Sequence, residues 1–286
     1  MSIVGKSAGK TSPRERAHYE PRKVKLGNVT VTRFIIGGNP FGGFSHQTLK
    51  RDNEMIDWYT MDRVRQTYAL AEKAGVTTHL GRTDDFIIRA LREYWNDGGR
   101  IKWIAQTCPG VGTMMQGVEN AIRGKAKCCF LHGGEMDYRV MGRQTREITD
   151  AINAIKDAGM AAGVAGHRIE TIKWAAEKLD LDFFMTCYYN PSDRTHQPLR
   201  NMAVRERYLH RDREAMCALI QQLPAPAIHY KVLAAGRHNP RVAFDYVAEV
   251  YRPGDAVCIG IFTKDNLNMI QQDVDLLESA LRKKGK

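Results

Sequence analysis

Short apolar runs alternate with amphipathic stretches along most of this chain. The runs cover residues 34–38, 77–81, 101–106, 128–132, 161–166, 182–188, 227–233 and 256–261. Each is nearly continuous in apolar or small residues, the pattern of parallel strands covered on both faces. Between them the period lengthens to that of a helix. Met61, Val64, Tyr68 and Ala71 recur at helical spacing and stop at Gly75, a good helix-ending glycine. Ile148, Ala151, Ile152 and Ile155 do the same before Gly159, and Val242, Tyr246 and Val250 precede Pro253-Gly254. A last helix is expected from residue 264 to about 281. Eight strand-helix units with no second domain left over predict an α/β fold, a single closed (β/α)8 TIM barrel spanning residues 23–286. Ahead of the barrel, KVKLGNVTVTR reads as a hairpin turning at Gly27-Asn28. Residues 1–22 are polar, basic and without periodicity, and are expected to form a flexible tail.

The order and spacing of several segments carry a resemblance that extends over almost the whole chain. The hairpin followed by RFIIGGNPFGG, then FLHGGEMD, GVAGH, CYYNP, HYKVLAAGR and IGIFTKDNLNM, resembles the aldo-keto reductase superfamily. That likeness implies a barrel closed at its bottom by the hairpin. It also implies NADP as cofactor and a catalytic Asp, Tyr, Lys and His. The catalytic set is not matched. His79 stands at the expected Asp, Asp84 near the expected Tyr, and Gln106 at the expected Lys, so that only His132 survives. The residues that hold a nicotinamide carboxamide fall at Ala165, Gly166 and Thr186. Tyr230 retains a ring for stacking, and Thr263, Lys264 and Asn268 resemble the remnant of a phosphate grip beside a helix start. Losing the proton donor together with its tuning groups removes a factor of about 10²–10⁴ from a carbonyl reductase. The barrel is therefore expected to do different work.

Functional groups of this fold gather at the C-terminal ends of the strands. Four histidines, His79, His132, His167 and His229, come from four such ends. Two readings are open for them: a divalent Zn, Mn or Fe site, or polar lining in which each ring is hydrogen-bonded and neutral. His79 and His132 are the first choice for acid-base residues, with Asp84 or Glu135 as base or carboxylate ligand. Asn39, Arg82, Gln106, Tyr188, Tyr230, Lys231 and Arg237 are the substrate-binding candidates. Lys231 shares a strand face with His229 and is expected to bind an anion or, as the alternative, to form a Schiff base. Arg237 reads either as a carboxylate clamp or as a solvated loop charge. Two long connections, 39–60 and 190 to about 212, read as lids or substrate walls. The second is Arg-rich and reads equally as a surface helix or as a contact between copies in a homo-oligomer.

Composition narrows the classes further. The chain has 286 residues, 43% of them hydrophobic, enough for a sizeable core. No apolar run approaches the roughly eighteen residues of a membrane span, and the N-terminus lacks a secretory core, so a soluble, cytoplasmic protein is expected. Six scattered cysteines without a C-x-x-C pair read as reduced and buried, with Cys187 a remote nucleophile candidate. The net charge of +11 is diffuse and lacks aromatic interleaving, which argues against nucleic acid and suits an anionic small molecule. Three functions follow. The first is acid-base or metal-assisted lyase or isomerase chemistry on a sugar-like or hydroxy-acid substrate. The second is a divergent NADP-dependent oxidoreductase using His132 and Tyr230, with Tyr188 or Tyr189 as proton donor. The third is a non-catalytic binding or regulatory barrel that engages an anionic partner through its tail and Arg-rich loop.

Overall fold

A computed structural model describes residues 18–192 and 206–286. Eight parallel strands close into a barrel in chain order: β3 (Phe34–Gly37), β4 (Thr78–Arg82), β5 (Lys102–Gln106), β6 (Cys128–Leu131), β7 (Ala161–Gly166), β8 (Phe183–Cys187), β9 (Ala227–Tyr230) and β10 (Ala256–Gly260), with β10 returning to β3. All eight expected runs are strands. The hairpin is present as β1 (Lys23–Leu26) and β2 (Val29–Thr32), and its Leu26 and Val31 join the apolar plug inside the barrel.

The helices are α1 (Leu49–Trp58), α2 (Met61–Lys73), α3 (Asp85–Asn96), α4 (Met114–Arg123), α5 (Gly133–Met141), α6 (Arg146–Asp157), α7 (Ile169–Lys178), α8 (His210–Ile220), α9 (Pro240–Val250) and α10 (Met269–Lys283). Most begin at a side-chain cap. Thr60 accepts from Arg63 N, Asp84 from Ile87 N, and Thr113 forms a reciprocal capping box with Gln116. Two boundaries differ from expectation. The connection 39–60 contains α1, which buries only Asp52 and Met55 and so has too thin an apolar stripe for periodicity to detect. The last helix starts at Met269, because Phe262–Asn268 are spent on turns ahead of it.

The two-residue period of each strand sorts side chains to opposite faces. Ile35, Leu80, Ile104, Phe130, Ala165, Phe183, Met185 and Ile228 fill the barrel, whereas Phe34, Ile36, Trp103, Ala105, Leu131 and Val164 pack outward against the helices. Gly163 faces Phe183 so closely that an added Cβ would stand 2.5 Å from the ring, so this bulky interior side chain depends on a glycine opposite.

At the barrel base, Arg33 donates from Nε to Glu278 Oε1 at 2.7 Å and from Nη2 to Oε2 at 2.5 Å, with both side chains buried. This pair ties β3 to α10. Residues 18–22 of the expected tail also lie on α10, through Tyr19 N and Asp275 and through Arg22 N and Glu278; residues 1–17 lie outside the described residues. Among the described residues no helix is long and apolar enough to cross a membrane. Replacing Glu278 by Ala strands a buried guanidinium, and we expect a loss of ~3–5 kcal/mol in a denaturant unfolding titration.

Candidate active site

The strand ends and the loops that follow them enclose a cleft of about 450 Å³. Its floor is apolar, formed by Leu80, Phe130, Ala165, Met185 and Cys258, inward residues from the middle or the carboxyl-terminal half of five strands. Desolvation pushes the Cys258 thiol up to about 12, so it is no nucleophile at neutral pH. Polar groups stand around this floor: Asn39, Gln106, Tyr230 and Lys231 from the sequence candidates, together with His46 and His238. Asn39 opens a one-turn 3-10 segment whose carbonyl caps Phe44 N at 3.0 Å. Lys231 follows β9 with a φ of +57°, which breaks the strand alternation and turns its side chain to the cleft.

The parity of the strands separates the four histidines. His79 and His229 occupy outward positions of β4 and β9, with Leu80 and Ile228 beside them pointing inward. The His79 ring lies between Phe41, 5.4 Å away and stacked, and Tyr68 at 5.0 Å. Gly38 and Gly81 leave room for it, since a Cβ on either would come within 2.5 Å of the ring. Desolvation lowers its pKa to about 3, against a small opposing effect from the Ile36 carbonyl, so this ring stays neutral. His229 is wholly buried, with Nδ1 2.8 Å from Tyr188 OH and Nε2 3.1 Å from Asp255 Oδ2. His229 and Lys231 therefore do not share a working face. Among the described residues no group of three or more His, Cys, Asp or Glu is placed to hold a metal ion.

Other candidates are engaged locally. His132 caps α5, its Nδ1 3.4 Å from Glu135 N. Asp84 caps α3 and pairs with Arg82 Nε at 3.1 Å, while Arg82 lies over the Phe44 ring. Glu135 is bound by Arg139 at 3.1 Å, and burial raises its pKa against that contact. Arg237 donates to the carbonyls of His46 and Ala234 and covers Tyr208, as a loop staple rather than a substrate clamp. Thr263 is taken by Trp58 Nε1 at 3.1 Å, and Lys264 and Asn268 are exposed and do not line the cleft.

His167 does reach the cleft, through a partner. Its Nδ1 is 2.8 Å from Asp137 Oδ2, and its Nε2 is 3.4 Å from the hydroxyl of Tyr230. Asp137 is fully buried and also accepts from the backbone N–H of His167 at 3.2 Å and of Arg168 at 3.3 Å. A carboxylate surrounded by donors fixes Nδ1 as the protonated nitrogen, which leaves Nε2 as acceptor for the Tyr230 O–H. The sequence carried all three residues but not their connection, because Asp137 sits on α5 and His167 closes β7, 30 residues later. At the opposite rim, His46 Nδ1 lies 3.0 Å from Glu206 Oε2, which also accepts from Tyr208 OH at 2.8 Å. Burial opposes ionisation of Glu206, yet the His46 contact and the Lys231 charge hold its pKa far below the usual carboxylate range. Of the Arg-rich connection, residues 193–205 lie outside the described residues.

No family model and no curated protein sequence matches this chain. Solved structures match its fold. A provisionally named aldo-keto reductase from Pseudomonas aeruginosa is 18% identical, with a TM-score of 0.60 over 91% of this chain and 96% of that one. A truncated 3-deoxy-D-arabino-heptulosonate 7-phosphate synthase from Thermotoga maritima is 11% identical, with a TM-score of 0.52 over 92% and 90%. The chain thus resembles the aldo-keto reductases in fold, and the same barrel serves a synthase.

The environment of His79 sets a pH signature. The unfolded chain takes up a proton there below about 6.5, whereas the folded ring resists until about 3. Its share of stability is therefore lost on acidification, at ~1.4 kcal/mol per pH unit inside that window. We expect His79→Phe to flatten the acid limb of the unfolding free energy measured against pH. An unchanged limb would show that the ring is solvated.

Proposed function

We propose that this protein is an enzyme that moves a proton on a small polar substrate, in lyase or isomerase chemistry, with Tyr230 as its catalytic acid-base group. The observation that carries this reading is the chain from Tyr230 OH at the cleft, through His167, to the buried Asp137. A substrate proton passes to the phenolic oxygen as the phenol passes its own to His167 Nε2. The resulting imidazolium is stabilised by Asp137, and the return transfer runs in reverse. His167 and Asp137 are positioning residues, since neither is among the groups that line the cleft. The apolar floor suits the carbon face of a sugar-like or hydroxy-acid substrate. Asn39 and Gln106 supply hydrogen bonds, and Lys231 supplies a cation for a substrate oxyanion.

A nicotinamide dinucleotide, which the fold resemblance brings to mind, is poorly matched by the cleft beyond the barrel mouth. That end carries Asp273 without a counter-charge among the described residues. Asp265 and Arg51 are paired with each other, Lys264 is exposed and off the cleft, and the Thr263 hydroxyl is already bonded. With its cation committed, this end offers no free counter-charge for phosphate among the described residues, so no step is assigned to such a cofactor.

The test is a proton NMR screen in D2O with a panel of hydroxy-acids and sugars, which detects exchange, elimination and isomerisation together. Tyr230→Phe should lower the rate on any responding compound by about 10²–10⁴. Asp137→Asn should also lower the rate and shift the pH profile, because it disturbs the imidazole tautomer and removes the charge that stabilises the imidazolium. Rates within twofold of wild type for Tyr230→Phe would sink the assignment. NADPH oxidation by the wild type with a carbonyl compound would replace it with a reductase.

A further inference from the structure

The cleft runs from Tyr230 at the barrel mouth to the first turns of α10, where Asn266, Met269, Gln272 and Asp273 line it. The charges at this far end are unequal in their bonding. Arg51 is bound by Asp265 and by Glu54 at 2.9 Å, and its guanidinium lies 4.4 Å from the Phe262 ring centroid. Asn266 donates from Nδ2 to Gln272 Oε1 at 2.7 Å and accepts from Asn268 N at 2.9 Å. Asp273 differs. It is only 6% exposed, and no hydrogen bond or ion pair reaches its carboxyl among the described residues. A carboxyl in that position is costly unless something compensates it. It occupies the fifth residue of a fifteen-residue helix, too far along to serve as a cap.

We propose that the α10 end of the cleft is a binding subsite for a cationic nitrogen group, an alkylammonium or guanidinium carried by the substrate or a co-substrate, with Asp273 as its counter-charge. Arg51 cannot fill that role, being committed to Asp265 and Glu54. Met55, Met269 and Phe262 supply apolar walls for the carbon chain that bears the cation. The Gln272 amide supplies a further polar contact at the same wall. Desolvation alone pushes the Asp273 carboxyl up to about 7, in keeping with a group that lacks a counter-ion until a ligand brings one. The same charge excludes phosphate from this end. The proposal rests on reading this cleft as the ligand site, and on nothing in the Tyr230 relay.

Isothermal titration of the full chain with agmatine, which bears a guanidinium and an ammonium, tests it. The expected result is saturable one-site binding to wild type, at least tenfold weaker in Asp273→Asn and unchanged in Tyr230→Phe. Inorganic phosphate should give no saturable heat. Melting curves check that the variants fold, and Asp273→Ala stands in if the Asn variant does not. Absence of agmatine binding to wild type, equal binding to the Asp273 variants, or displacement of agmatine by phosphate would overturn the subsite. Wild-type turnover in Tyr230→Phe with agmatine binding intact would be a failure of the relay alone, and loss of turnover in Tyr230→Phe without agmatine binding to wild type a failure of the subsite alone.

Discussion

Closure of the parallel ladder is the constraint on which this molecule depends. Eight strands hydrogen-bonded in a ring have no edge, and each must bury both faces, one toward the axis and one toward the helices. Because successive side chains alternate, every strand residue is committed to one of these two environments. Only inward residues near the carboxyl ends, and the residues immediately after them, can reach a substrate. The cleft is accordingly lined by Tyr230, which points inward, and by Lys231, His46 and Asn39 on the connections, where alternation no longer applies.

Two Asp-His-Tyr chains in the same barrel show what that commitment does. Asp137, His167 and Tyr230 end at the cleft. Asp255, His229 and Tyr188 are joined in the same order, with a shorter Tyr–His contact (2.8 Å against 3.4 Å), but lie between barrel and helices, where all three are buried. Burial works against ionisation of Asp255, yet His229 and Arg252 hold its pKa below the ordinary value. The second chain satisfies buried polar groups and fixes β8, β9 and the turn before β10 relative to one another. The first has the same chemistry with one end open to a ligand. Access, rather than residue type, separates a structural network from a candidate catalytic one.

Polar groups elsewhere follow the same economy. Arg33 and Glu278 pair at the base, Arg51 is neutralised beside Phe262, and Glu206 is held by His46 and Tyr208. Against those paired charges, the carboxyl of Asp273 in the cleft wall has no ion-pair partner among the described residues.

The sequence by itself determined the barrel. The eight apolar runs, the glycine-ended helices and the Gly27-Asn28 hairpin all lie where expected, because burial on both strand faces leaves a local compositional trace. It also placed Tyr230, Lys231, Gln106 and Asn39 at the mouth, since distance from a strand end is a local quantity. Tertiary structure alone decided which face each histidine takes. One residue of register sends His79 behind the barrel wall while Leu80 beside it lines the cleft, and an apolar run on both faces carries no parity signal. It alone joined Asp137 to His167 and brought Asp273 to the wall shared with Tyr230, contacts between distant segments that no local pattern encodes.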